Sequence, residues 1–346
     1  MLDADTFLTI VYCLVDDVYK AEFARLKPKR RGHRPEMTDS EVLTLALLGQ
    51  WQQDRSESAF VRYTCAHWQS YFPRLLSQSA FNRRVRDLSG VLCQLGPEVV
   101  KLAAGLVEHS PAYGALDSVP VPLMRRCRGD RHKLFAEEEA VGHGGTDREW
   151  YYGVQLLTEV DANGFITGFV VGPANTSARW LAEALFRWRD NLESGVPTAE
   201  ELAPVLGPTH LKGGKRLGPT GPIFPRLGVG EPADHDYLGD LAFQGQAWIT
   251  HWHDHYHATV QTKADCRWLE TARERQLARR WLASLRQIAE TPNNYLTSAL
   301  GLTFPRPRTF WGLLTRLAAK VAAYDIAIYI NYLTHRPTFS VFHPFP

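Results

Sequence analysis

Apolar residues recur every three to four positions through the first hundred residues, a spacing typical of helices packed around a core. The first such helix is predicted over about 2–20, where Phe7, Val11 and Leu14 share one face. Short apolar runs bounded by turn residues become frequent after residue 109, and these predict strands. The pattern therefore predicts a helical domain over 1–108 and an α/β domain over 109–346.

The helical domain carries a basic helix near its end. Ser77 or Ser79 can cap a helix that runs to about residue 88 and contains Arg83 and Arg84. A short helix, a turn and a basic helix are typical of a helix-turn-helix-like reader of DNA. A core helix with a charged outer face is the alternative. The other helices of this domain are predicted over about 40–51, with a capping box from Thr38 to Glu41, over 57–71 and over 91–107.

The α/β domain opens with a strand, a hairpin and a helix. An apolar run over 112–116 ends on Asp117, and Pro120 and Pro122 are expected to stop the strand soon afterwards. An Asn-Gly pair at 163–164 between two strand-like runs predicts a hairpin. The remaining strands are predicted over 150–160, 165–172 and 258–261, with one more that ends at Asp240. The helices are predicted over 177–192, 244–255, 268–289 and 310–333, with the last one packing over the sheet.

Three acidic residues are candidates for a common site. Asp117 and Asp240 each follow a short apolar run, and Glu290 follows Arg286 by one helical turn, just before Pro292 is expected to end that helix. Acids so far apart along the chain suit a site that the fold assembles from two strand ends and a helix. Hard cations such as Mg²⁺ take a few carboxylates. Taken singly, an Asp in such a position is more often a turn or cap residue.

Basic residues cluster at several places along the chain. The segment around Arg30, Arg31 and Arg34 is broken by prolines, and it suits either a solvated loop or an arm that follows phosphates. A second cluster after Asp117 is either an exposed loop or a DNA contact, and the remaining candidates lie near the second and third acids. These further predicted DNA-binding residues are Arg125, Arg126, Arg128, Lys263 and Arg286. A Gly- and Pro-rich segment over about 193–232 is predicted to be a surface insertion, with a DNA-contacting loop as the alternative.

Composition narrows the class of protein. The 346 residues are 45% hydrophobic and 22% charged with a net charge of +2, which is typical of a globular chain with two domains. Five cysteines without a C-x-x-C pair argue against a zinc site or a disulfide framework. No basic region precedes the first apolar stretch and no apolar run spans a membrane, so we expect a cytoplasmic protein. The run HWHDHYH over 251–257 offers pairs of histidines at zinc-binding spacing, but it fits a polar surface equally well.

Several blocks together resemble the DDE transposases of bacterial insertion sequences. The resemblance covers nearly the whole chain, and its specificity comes from the order and spacing of the blocks. The N-terminal blocks are FLTIVYCLVDDVYK, TDSEVLTLALLGQW and FPRLLSQSAFNRRVRDL. The others are ALDSVPVP around Asp117, WYYGVQLLTEVDANGFITGFVVGPANTSA, LGDLAFQGQAW around Asp240, RQIAETPNNYL with Glu290, and RLAAKVAAYDIAIYINY.

The resemblance implies a fold, an activity and partners. It implies an RNase H-like mixed sheet flanked by helices, preceded by an all-α N-terminal DNA-binding domain. Asp117, Asp240 and Glu290 would be both the catalytic residues and the ligands of two Mg²⁺ ions, with Mn²⁺ able to substitute, in DNA cleavage and strand transfer. The expected partner is double-stranded DNA, both element ends and target. The expected assembly on DNA is a homodimer or larger, associated with the bacterial nucleoid.

Two alternatives stay open, and departures from the family pattern favour the first of them. Leu241, Ala242 and Phe243 follow Asp240 where relatives often carry Lys-Gly-Tyr, and Ala283 and Thr297 stand where some relatives have Tyr and Lys. A transposase-derived DNA-binding protein that no longer cuts DNA is one alternative. An RNase H-like nuclease that cuts without joining ends is the other.

Overall fold

Six segments between residues 114 and 261 form one mixed sheet. The computed structural model describes residues 3–26, 35–52, 56–107, 113–131, 140–144, 149–189, 236–307 and 309–340. The strands are β1 Gly114–Arg125, β2 Val141–Gly144, β3 Glu149–Asp161, β4 Ile166–Pro173, β5 Asp236–Leu238 and β6 Thr259–Gln261. The predicted insertion over 193–232 lies outside the described residues.

The strand order is β2-β3-β1-β5-β6, with β4 also paired to β3. β1, β3 and β4 pair in antiparallel fashion, whereas β5 is parallel to β1 and β6 is parallel to β5. β2 pairs with the first residues of β3 and β4 pairs with the rest of it. Helices flank this sheet, so the predicted α/β class is confirmed.

β1 is longer than predicted, because it continues through Pro120 and Pro122 to Arg125. It pairs with β3 along its length, but β5 pairs only with Gly114 and Ala115. Beyond Ala115, one side of β1 has no strand partner among the described residues. The two prolines are two positions apart, so their nitrogens face the same side of the strand. An edge tolerates residues that lack an N–H, which is why the expected stop after Asp117 was wrong.

The predicted hairpin between β3 and β4 is confirmed, and its turn is held by one side chain. Asp161 Oδ1 accepts hydrogen bonds from the backbone N–H groups of Asn163 at 2.9 Å and Phe165 at 2.8 Å. Gly164 has a φ of 90°, a conformation that costs glycine little. The turn is therefore specified locally, by the Asp-Ala-Asn-Gly sequence itself.

Two helices cover one face of the sheet. They are α6, Ala178–Arg189, and α7, Gln246–Tyr256. Leu116, Leu157 and Val170 of the sheet share a buried core with large aromatic side chains from the two helices. Full burial of such side chains contributes about 1.5–3 kcal/mol each. The helix-borne members of this core include Trp180, Leu185, Phe186, Trp248, Trp252 and Tyr256.

The helix that carries Glu290 is α8, Ala272–Ser298, and it does not end at Pro292. A proline inside a helix removes one hydrogen bond and typically costs about 3 kcal/mol. The residues that follow it, Asn293, Tyr295 and Leu296, are all buried. Their burial offsets the cost of the proline, so the expected end at residue 289 was wrong by more than two turns.

The N-terminal helices are α1 Ala4–Val18, α2 Asp39–Leu48, α3 Glu57–His67, α4 Gln78–Asp87 and α5 Ser89–Ala103. The Thr38–Glu41 capping box and the Ser77 cap are confirmed. The last helix, α9, spans Phe310–Leu333 and is buried on most of its faces. Its main packing partner is α5, whereas the sequence predicted the sheet. Apolar residues all around α9 favour burial among helices over coverage of a single sheet face.

The chain divides into two compact units. The helical unit comprises Met1–Leu106 and Tyr295–Pro346, and the sheet unit comprises Val107–Asn294. The predicted DNA-binding and catalytic roles of these regions stay predictions. Within the described residues, no helix combines the length and apolar character that crossing a membrane requires.

Candidate active site

Asp117 and Asp240 come within electrostatic reach of each other from two paired parallel strands. Ala115 of β1 pairs with Leu238 of β5. Each aspartate follows its paired residue by two positions, Asp117 within β1 and Asp240 just after the end of β5. Adjacent strands are about 4.8 Å apart, and residues two positions apart face the same side of a sheet. This register, which joins residues 123 positions apart in sequence, brings the first two predicted acids together.

The backbone after β5 fixes Asp240. Its Oδ1 accepts a hydrogen bond from the Ala242 N–H at 2.8 Å, so the aspartate caps the short 3₁₀ turn Leu241–Phe243. Phe243 is fully buried in the core beneath α6 and α7 and anchors this turn. Asp240 is therefore a cap residue, and the cap occupies one carboxylate oxygen.

α8 presents Arg286, Glu290 and Asn293 on one face. Their spacing of four and then three residues matches the helical repeat. Arg286 Nη2 donates to Glu290 Oε1 at 2.5 Å, and Arg286 Nη1 lies 3.7 Å from Asp117 Oδ1. The Glu290 side chain is 47% exposed and that of Asp117 is 21% exposed. One guanidinium thus links the first and third predicted acids.

Asn293 holds the other oxygen of Asp117. Its Nδ2 donates to Asp117 Oδ2 at 2.9 Å, and its Oδ1 accepts from the Thr158 hydroxyl at 3.1 Å. Thr158 is fully buried on β3, opposite Asp117 in the β1–β3 register. This buried chain from β3 through α8 to β1 orients the Asp117 carboxylate.

The pKa of Asp117 depends on its burial and on these neighbouring groups. Burial is the largest effect and raises the pKa of Asp117 above its ordinary value of 3.8. The hydrogen bond from Asn293 and the charge of Arg286 lower this pKa, whereas the negative charges of Asp240 and Glu290 raise it further. The three predicted acids are thus within electrostatic reach of one another.

Some features of the three acids favour the binding of a metal ion, and others oppose it. Three carboxylates are the donor type that Mg²⁺ takes. However, Arg286 bonds to Glu290 and lies near Asp117, and Asp240 already caps a turn. No group of three His, Cys, Asp or Glu within the described residues stands close enough together to hold a metal ion. The donor chemistry fits Mg²⁺, and binding would require Arg286 to release Glu290.

Sequence reasoning did not identify Asn293 and Thr158. Asn293 lies seven residues after Arg286 and three after Glu290, a spacing that marks it as a site residue only if the helix continues past Pro292. Thr158 lies in a continuous apolar strand and had no signal of its own in the sequence. Its role appears only from the register of β1 with β3.

The predicted DNA-binding arginines of α4 differ in their surroundings. Arg83 is exposed. Arg84 forms an ion pair with Asp39 and donates to the Met37 carbonyl oxygen at 3.3 Å. Tyr19 also donates to Asp39, at 2.5 Å. Arg84 therefore helps to hold the start of α2, and Arg83 is the better-placed residue for an external partner.

The other predicted DNA-binding residues belong to three groups. Arg125 and Arg126 are exposed where β1 ends. Lys263 follows β6 and lines an open groove together with residues of α8. The rest lie outside the described residues: Arg30, Arg31, Arg34 and the side chain of Arg128.

The histidine-rich run over 251–257 is split between the core and the surface. His251 is buried, and its Nε2 lies 3.1 Å from Glu183 Oε2. His253, His255 and His257 are exposed. The i,i+4 pair of His251 and His255 is thus divided between a buried hydrogen bond and solvent.

No protein-family model, no curated protein and no solved structure matches this chain.

Proposed function

We propose that this chain is a DNA transposase of the DDE class, with an RNase H-like catalytic unit and an N-terminal DNA-binding region. The observation that carries the proposal is the convergence of Asp117, Asp240 and Glu290 from two adjacent strands and one helix. The sheet opens with a strand, a hairpin and a helix, as an RNase H-like sheet does. Acids from neighbouring parallel strands, one inside β1 and one just after β5, are well placed to act on one ligand.

The residues that would hold divalent cations are Asp117, Asp240 and Glu290. The chemistry supplied by two such ions is activation of a water or a DNA 3′-hydroxyl and stabilisation of the leaving oxygen of a phosphodiester. Two ions and this reaction are what the resemblance to transposases implies.

The protein's own residues prepare this site. Asn293 fixes the direction of the Asp117 carboxylate, and Thr158 fixes Asn293. Arg286 neutralises part of the repulsion between Asp117 and Glu290. With the acids holding divalent cations, Arg286 would be free to donate to a phosphate oxygen, for which its forked donors are well suited. Arg286 therefore exchanges a carboxylate for the DNA backbone in this proposal.

A cleavage assay tests the proposal. DNA that flanks the gene would be incubated with the full chain and Mg²⁺ or Mn²⁺, with Asp240→Asn as the comparison. We expect metal-dependent nicks at discrete positions by the wild type and none by the variant. End-joined products distinguish a transposase from a nuclease. Sequence-specific binding without any cutting would instead identify a DNA-binding regulator.

A further inference from the structure

A basic groove lies beside α8, and none of the three acids of the candidate active site lines it. Lys263, Arg275, Arg279 and Arg280 line this open groove of about 510 Å³, together with the small residues Ala272 and Ala283. Arg279 and Arg280 are exposed. Neither of them has a hydrogen-bond or ion-pair partner among the described residues. Arg279 and Arg280 therefore give the groove positive charge that no acid among the described residues pairs with.

Arg275 has a structural part in this groove. Its Nη1 donates to the carbonyl oxygens of Leu269 at 2.7 Å and Glu270 at 3.1 Å, so it ties the segment before α8 to the helix. The alanines leave room between the basic side chains. Three basic side chains of the groove, Lys263, Arg279 and Arg280, are thus available for a ligand.

The groove is aligned with the candidate active site along the same helix. An α-helix turns about 100° and rises about 1.5 Å per residue. Arg279 and Glu290 are 11 residues apart, which places them within about 20° of the same face and about 16 Å apart along the axis. The same face passes through Ala283 and Arg286. A straight path along α8 therefore leads from the groove to the acids.

We propose that this groove binds the phosphates of the DNA strand that leads into the active site. The proposal rests on the function proposed above, and it adds a backbone-binding track of defined position. A rise of about 3.4 Å per nucleotide in a duplex strand means that about 16 Å corresponds to about five nucleotides. Uncompensated arginines along an open groove are suited to the phosphate backbone and carry no base specificity.

The test measures DNA affinity at several salt concentrations without divalent metal, so that it does not depend on cleavage. Each lost phosphate contact should lower the slope of log affinity against log salt by about 0.9. The combined variant Lys263→Ala, Arg279→Ala and Arg280→Ala should lower it by about 2.7. Arg273→Ala is the matched control, because Arg273 is an exposed arginine of α8 outside the groove. It should leave the slope unchanged.

A charge-preserving variant guards against misfolding as the explanation. Arg279→Lys with Arg280→Lys should keep the wild-type slope. Hydroxyl-radical footprinting should show about five protected nucleotides on one side of the cut position, lost in the alanine variant. Wild-type slope and footprint in the alanine variant would overturn the groove assignment even if the protein cuts DNA. Groove-dependent binding by a protein that never cuts would support the groove and remove the proposed chemistry.

Discussion

Two buried or half-buried carboxylates of the sheet unit, Glu183 and Asp117, have opposite surroundings. Glu183 on α6 is completely buried and is bonded to three groups of α7: the Tyr256 hydroxyl at 2.6 Å, the Trp252 indole N–H at 3.0 Å and His251 Nε2 at 3.1 Å. Asp117 has one amide donor, one guanidinium at 3.7 Å and two other acids within electrostatic reach.

The difference separates a structural acid from a candidate catalytic one. The partners of Glu183 all come from the helix that packs against it, so its carboxylate joins two elements and is closed to solvent. Burial, with smaller contributions from the negative charges of Asp240 and Glu290, raises the pKa of Asp117, and part of its carboxylate is accessible to solvent. Partly accessible acids with a perturbed pKa are common at functional sites.

The largest expected effect is the loss of cleavage on removal of one charge from the candidate site. Asp117→Asn, Asp240→Asn and Glu290→Gln should each abolish DNA cleavage, because each removes a carboxylate that would hold a divalent cation. DNA binding and the melting temperature should change little. Asp254→Asn is the control, since Asp254 is an exposed acid of α7. Normal cleavage by any of the three variants would exclude that residue from the site.

Glu183 should respond in the opposite way. Glu183→Ala leaves three buried groups without their acceptor, and an unsatisfied buried polar group costs about 1–3 kcal/mol. We expect the free energy of unfolding to fall by about 3 kcal/mol or more. Cleavage per folded molecule should stay normal. Glu183→Gln keeps one acceptor oxygen and should lose less stability, and urea unfolding followed by tryptophan fluorescence measures both.

Asn293→Ala should have an intermediate effect confined to activity. Partners that orient a ligand typically contribute 10- to 100-fold, so cleavage should fall by about that factor. The Asn293 hydrogen bond lowers the pKa of Asp117, so its loss should raise this pKa further. Because the site needs an ionised Asp117, the acidic limb of the pH–rate profile should move to higher pH. Asn294→Ala, at the exposed neighbouring position, should leave the profile in place.

Lys320, in the helical unit, is a buried ionisable side chain that is not part of the candidate active site. Burial and the nearby charge of Arg316 lower the pKa of Lys320 to about 7 from its ordinary value of 10.5. Between these pH values the unfolded chain binds a proton that the folded chain does not, so stability should rise with pH across this window. Lys320→Met should flatten that rise in melting temperature. Lys101→Met, at an exposed position of α5, should not.

Much of the fold could be predicted from short stretches of the sequence. The Asn-Gly turn, the Thr38 capping box and the strand before Asp240 each depend on a few consecutive residues, and all three were predictable. Pro120 and Pro122 misled the prediction because strand tolerance depends on whether a neighbour pairs on that side, which is a property of the sheet. Pro292 misled it because burial of distant residues decides whether a helix survives a proline.

For the same reason, only part of the candidate site could be predicted from the sequence. Its acids follow apolar runs or a helical Arg, and these patterns can be seen in the sequence. The hydrogen bond between Asp117 and Asn293 joins positions 176 residues apart, and the Arg84–Asp39 pair joins positions 45 apart. Such pairs follow from strand register and helix packing, which no local pattern encodes.

The most direct test of a single three-acid site is Mn²⁺ binding to the full chain on DNA, measured by electron paramagnetic resonance. The wild type should bind Mn²⁺, and Asp117→Asn, Asp240→Asn and Glu290→Gln should each weaken this binding, while Asp254→Asn should not. Mn²⁺ binding that is lost in Asp117→Asn but unchanged in Asp240→Asn or Glu290→Gln would contradict the assignment of the three carboxylates to one site.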